Sequence, residues 1–321
     1  MVDARTFFTS NARLTRDQIS AIERGEAVAK PLPSRTPREV FLFGVVYVHA
    51  APQSYVRLAR NFDALRRLPN YLALGVIGDP PQLSDFQGFS LEAEDIRDLR
   101  DCRPGNREIQ LPASGMETLQ QTIDFSSPAA TQKVNEAARR TAFERLQAYQ
   151  RDGNSALGFY NDKRKPTDVA KQFAYMLSYY RAFPEHTPDF YNYLLAYPDG
   201  KPANVEDLFY WSRVKFGLKP TLRIVHIVSM RKEVAGGSMY IVAEKQLYSS
   251  HYFETALDLT FCIPGDDPTE PGFYLIRIMG SEQAGLTGFK GSFIRGVAVD
   301  RSVGSLRGSL AAIKATLESR R

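Results

Sequence analysis

Two histidines, one arginine and the single tryptophan carry most of the chemical promise of this chain. His226 sits in the run Thr221 to Met230, where Leu222, Ile224, Val228 and Met230 share its parity. His251 opens a longer run in which Phe253, Thr255, Leu257, Leu259, Phe261 and Ile263 alternate with Tyr252, Glu254, Ala256, Asp258, Thr260 and Cys262. An imidazole on an apolar strand face can orient a ligand hydroxyl or carboxylate, or move a proton. A hydrogen-bonded core histidine is the plainer alternative. Arg277 shares parity with Phe273 and Leu275. Turned inward, its guanidinium needs an acidic partner or an anionic ligand head group; turned outward, it is solvated. Trp211, beside Phe209 and Tyr210, lines an apolar pocket or packs a core. The expected ligand-lining set is therefore His226, His251, Phe253, Thr255, Leu257, Arg277 and Trp211, with no catalytic residue assigned.

The chain offers no motif for a cofactor or a metal. G-x-x-x-x-G-K-[ST] is absent, no G-x-G-x-x-G follows a strand, and neither G-x-S-x-G nor H-E-x-x-H occurs. Two histidines and a carboxylate without ligand spacing do not make a zinc site, and Cys102 and Cys262 are too few for one. Whether those two cysteines pair is left open. With 41 Lys and Arg against 36 Asp and Glu, the net charge of +5 is mild. Basic spots such as Lys163–Lys165 and Arg66–Arg67 are scattered among acids, so no nucleic-acid partner is expected. The N-terminus lacks the apolar core of a secretory signal, and the longest apolar run, 40–51, is too short to span a bilayer. The chain reads as soluble, with transient membrane contact and oligomeric state left open.

The elements that must hold these residues come from periodicity. Residues 15–24 read as a short helix capped by Thr15 and ended by Gly25. A proline-bearing connector follows to Pro37. Residues 39–49 read as a buried strand, and Pro52 opens a helix with Tyr55, Leu58, Ala59, Phe62 and Leu65 on one face. Short strands are expected at 72–77 and 86–91, with a third at 107–111. From 115 to 217 the pattern turns mostly helical, including a helix-like piece from Asn204; a strand over 209–216 is the alternative there. After 220 come antiparallel strands around Gly236–Gly237 and Pro264–Asp267. A glycine-rich loop at 280–291 follows as a candidate mobile entrance. A terminal helix carries Val303, Leu306, Leu310, Ile313 and Leu317 in one stripe.

The fold class expected is α+β: a curved antiparallel sheet gripping a long C-terminal helix, with a mostly helical insertion. The units are 1–38 (helix and connector), 39–114, the insertion 115–217, and 218–321. In element order, 39–66 and 220–320 resemble the START-like, or helix-grip (SRPBCC), superfamily. That resemblance implies an apolar cavity between sheet and terminal helix, and a lipid-like or other hydrophobic small-molecule ligand. Physics agrees, because a curved sheet cannot lie flush on a straight helix. The favoured expectation is non-catalytic binding or transfer of such a ligand. The rivals are a cyclase, hydratase or hydrolase using the same cavity, with His226 or His251 as acid–base, and a protein-interaction module in the helical insertion.

Overall fold

The computed structural model describes residues 8–9, 12–105, 109–160, 166–179, 185–215, 219–234, 236–265, 272–283, 286 and 288–319. The expected turn residues Asp266–Asp267, the basic spot Lys163–Lys165 and the start of the expected strand at 107 lie outside them.

The long runs of alternating residues form the sheet. In chain order the strands are β1 (Val28–Leu32), β2 (Glu39–Val48), β3 (Tyr71–Ile77), the short pair β4 (Phe159–Tyr160) and β5 (Thr167–Asp168), β6 (Val205–Lys215), β7 (Pro220–Val234), β8 (Gly237–Ser249), β9 (Phe253–Pro264) and β10 (Phe273–Gln283). Eight of them make one open antiparallel sheet in the order β1-β2-β10-β9-β8-β7-β6-β3. The helices among the described residues are α1 (Arg16–Glu23), α2 (Gln53–Ala59), α3 (Phe62–Arg66), α4 (Ala93–Arg100), α5 (Ala113–Thr122), α6 (Ala130–Asp152), α7 (Val169–Tyr179), α8 (Pro188–Ala196) and α9 (Gly288–Glu318). α1 carries the expected cap: Thr15 Oγ1 accepts from Gln18 N, and Gln18 returns the bond to Thr15 N.

Both faces of the sheet are covered, by different layers. One face carries Phe43, Trp211, Ile224, Val228, Ile241, Leu257 and Ile278 beneath the helices inserted between β3 and β6. The other carries Leu42, Val46, Ile227, Val242, Cys262 and Leu275 beneath α2, α3 and α9. The two cysteines fall in separate cores, so no bridge joins them. α9 follows β2 from its start, where Arg295 Nη2 donates to Glu39 O at 3.3 Å, to its end, where Lys314 Nζ donates to Tyr47 O at 2.9 Å. Leu306, Leu310 and Leu317 bury its stripe, each contributing about 2 kcal/mol of transfer free energy. Gly44 permits the approach. A Cβ there would sit 2.7 Å from Leu310 Cδ1 and 2.9 Å from Leu306 Cγ.

Four local expectations change. The piece from Asn204 is strand β6 and not helix: Arg231 N bonds Asn204 O, and Phe209 and Trp211 alternate with Tyr210 and Ser212. Sheet pairing with β7 overrides the helix-like spacing. Residues 86–91 are not a strand. A 3-10 turn at Leu83–Phe86 and the bend after it put Phe86 and Phe89 on one side. The proline-bearing connector contains β1, whose Pro31 is tolerated because β1 is an edge strand. The glycine-rich stretch is mostly regular, since β10 extends through Gln283 and α9 starts at Gly288.

Candidate ligand site

The centre of the sheet is polar where a sealed core would be apolar. On the α9 side, Glu244 of β8 pairs in register with Asp258 of β9, and Thr260 of β9 pairs with Arg277 of β10. α9 lies over β1 and β2, while α2 reaches β8 from the other side. Between them the middle strands stay partly open. The side chains of Asp258 and Arg277 keep 24% and 13% of their exposure, and Glu244, Ala256 and Met279 are half-buried. This is a crevice that water reaches, in the midst of a packed face.

Its electrostatics are unusual. Arg277 Nη2 stands 3.4 Å from Asp258 Oδ2, a loose ion pair, and Arg277 Nε is buried with no partner in the protein. Burial pushes the Asp258 carboxyl up to about 6, against the pull of Arg277 and with help from Glu244. Burial likewise pushes the Tyr55 phenol up to about 12; its hydroxyl donates to Thr260 Oγ1 at 3.3 Å. At the far end Arg223 is well held: it donates to Ser212 Oγ at 2.9 Å, to Tyr71 OH at 3.0 Å and to Tyr210 OH at 3.2 Å. The opposite end is apolar, with Phe273, Leu275 and Cys262 fully buried. That end is sealed, so the open part of the floor is Asp258, Arg277 and Glu244 with Ala256 and Met279.

The insertion side holds a contrasting polar chain. Asp207 of β6, His226 of β7 and Lys245 of β8 share that face, and His226 and Lys245 are register partners. Lys245 Nζ donates to Tyr149 OH at 3.1 Å and to Asn154 Oδ1. Tyr149 OH meets His226 Nδ1 at 3.0 Å, and His226 Nε2 meets Asp207 Oδ1 at 2.8 Å. Asp207 Oδ2 accepts from Tyr193 OH at 2.6 Å and pairs with Lys201 Nζ at 2.7 Å. Gly153 (φ +63°) shapes the end of α6 that brings Asn154 to Lys245, because a Cβ there would lie 1.7 Å from Tyr197 O. Burial lowers His226 to about 4, so it is neutral, and pushes Lys245 well down. With neutral His226 donating from Nε2 to the carboxylate, Nδ1 accepts the Tyr149 proton. Both ring nitrogens are used, and His226 is fully buried.

The seven expected residues therefore do not form one site. His226, Trp211 and Leu257 face the insertion; Arg277 faces α9. Trp211 donates Nε1–H to Asp85 O at 2.8 Å and packs edge-on against Phe89. His251 precedes β9 and meets Asp95 of α4 through Nε2 at 3.0 Å, buried. The expected alternation breaks at a register shift, where Glu282 pairs with Thr255 but Gln283 pairs with Phe253. Thr255 is buried with Oγ1 unpartnered, and Phe253 is half-buried. The acid–base role considered for the histidines has no support at the crevice, since His226 lies across the sheet from it and His251 is tied to α4. The residues missed were Asp258, Glu244, Arg223 and Tyr55. Lys245 left a signal, a charge in the apolar row Met239, Ile241, Ala243, Leu247.

Among the described residues no cluster of three or more His, Cys, Asp or Glu is placed to hold a metal ion, and no helix is long and apolar enough to cross a membrane. No protein-family model and no curated protein matches the chain.

Proposed function

We propose that the crevice between the central strands, α2 and α9 binds a small amphipathic molecule, its apolar body over the half-buried Ala256 and Met279 and an anionic or strongly accepting group at Arg277. The observation that carries this is the loose Arg277–Asp258 pair, partly exposed at the centre of a covered sheet, with Arg277 Nε unsatisfied by protein. A buried guanidinium with spare donors favours an anion that brings its own lone pairs. The order β2-α2-α3-β3, then β6 to β10 and α9, supports the START-like reading, with the ligand class shifted from purely hydrophobic to amphipathic by the charged floor. Asp258, protonated up to about pH 6 beside Glu244, favours one further reading: a hydratase- or cyclase-type enzyme in which Asp258 is the proton donor.

Gentle purification, organic extraction and mass spectrometry should recover an amphipathic species. Titration with 1-anilinonaphthalene-8-sulfonate should saturate, and Arg277→Gln should weaken it about tenfold or more. No co-purified species together with no uptake by the wild type, or equal uptake by Arg277→Gln, overturns the proposal.

A further inference from the structure

A second cavity lies on the far side of the sheet. It measures about 370 Å³, within the range of small-molecule pockets, and sits between α4, α5 and α6 with Ile224 and Tyr248 of the sheet among its lining. Its origin is legible in the helices. Where α6 faces α5 it presents Ala138 and Ala142, one turn apart, and α5 answers with Gly115 and Thr118. Small side chains on both helices leave a gap that Leu99 and Val134 wall but do not fill. An apolar gap of this kind does not hold water well and takes apolar guests.

One cation stands in that lining. Arg145 donates Nη2–H to Leu157 O at 2.7 Å, its Nε has no partner, and its guanidinium carbon lies 5.7 Å from the Tyr160 ring and 5.8 Å from the Tyr248 ring. The acidic residue of the lining, Glu144, is exposed at the rim. An apolar cavity with one half-buried arginine fits a chain-like hydrocarbon ending in a single negative charge.

We infer that the cavity between α4, α5, α6 and the sheet binds the carboxylate of a medium-chain fatty acid, with its chain between Ala138, Ala142 and Gly115 and its head at Arg145. The site is separate from the crevice, which lies across the sheet. Trp211 reports on it, because its ring packs 5.8 Å from Phe89, which lines the cavity, and it is the chain's single tryptophan.

The test titrates the full chain with 12-bromododecanoic acid and reads Trp211 emission. Saturable quenching, relieved by excess dodecanoate, is expected. Ala138→Phe fills the gap and should abolish the quench while circular dichroism and the melting temperature stay those of a folded protein. If that variant does not fold, Ala142→Val supplies the same test. Arg145→Gln should weaken binding about tenfold and remove the preference for dodecanoate over dodecanol. No saturable quench in the wild type overturns the inference, as does quenching that survives the folded filling variant. Quenching lost in Arg277→Gln but kept in Ala138→Phe puts the guest in the crevice instead: that outcome sinks the second site and leaves the crevice reading standing.

Discussion

The two faces of one sheet handle buried charge in opposite ways. On the insertion face, the chain Lys245–Tyr149–His226–Asp207 is closed, each link within 3.1 Å wherever a distance bears on it, and only the Asp207 end approaches solvent. On the α9 face, Arg277 and Asp258 stand 3.4 Å apart with both side chains partly exposed. A closed network satisfies itself and fixes the packing of α6, α7 and α8 on the strands. An open one leaves donors for something else. The groups of the Lys245–Tyr149–His226–Asp207 chain are therefore structural, while Arg277, with its Nε unpartnered, is the better candidate for binding.

This contrast can be broken by experiment. The largest effect is expected from His226→Ala, which leaves a cavity and takes the acceptor from the Tyr149 hydroxyl and the donor from Asp207 Oδ1. Urea denaturation should show a loss of about 3–5 kcal/mol, and a loss under about 1 kcal/mol would mean that the network is not closed. Next comes pH. Asp258 has its carboxyl raised from 3.8 to about 6, so its stabilising contribution is fully present below pH 3.8 and is lost as pH rises through about 6. His226 is lowered from 6.5 to about 4, so its contribution is present above pH 6.5 and is lost as pH falls through about 4. The faces thus oppose each other across this window. As pH rises from 4 to 6, wild type should lose about 2 kcal/mol relative to Asp258→Asn. Parallel stability curves for the two proteins would show that Asp258 is not held high. The smallest effect is at Gly44→Val, where the new side chain meets Leu306 and Leu310. It should cost about 1–3 kcal/mol and, by lifting α9, alter probe uptake in the crevice while leaving the cavity under α6 unchanged.

Much of the scaffold was readable from residue order. β7 to β10 show period-2 alternation long enough to exclude helix, and Leu306, Leu310 and Leu317 mark the buried stripe of α9. β6 was less readable because Phe209, Tyr210 and Trp211 are all buried, erasing the alternation. β1 was hidden by Pro31. The candidate site was legible at Arg277 alone, whose inward reading called for an acidic partner or an anion and whose partner in the structure is Asp258. Asp258 and Glu244 sat in the polar row of their strands, which reads as solvent-facing. Alternation assigns residues to faces but cannot tell that both faces are covered.

Local pattern by itself therefore determined the antiparallel strands, the capped first helix and the amphipathic last one, because those depend on spacings of two, three and four residues along the chain. Tertiary structure decided which polar residues were sealed and which were left open. His226 found Asp207 and Tyr149 from elements 19 and 77 residues away, while Arg277 and Asp258 were left between α9 on β1 and β2 and α2 on β8. Partnering of buried charge is set by what crosses over it, and no stretch of sequence around the charge contains that information.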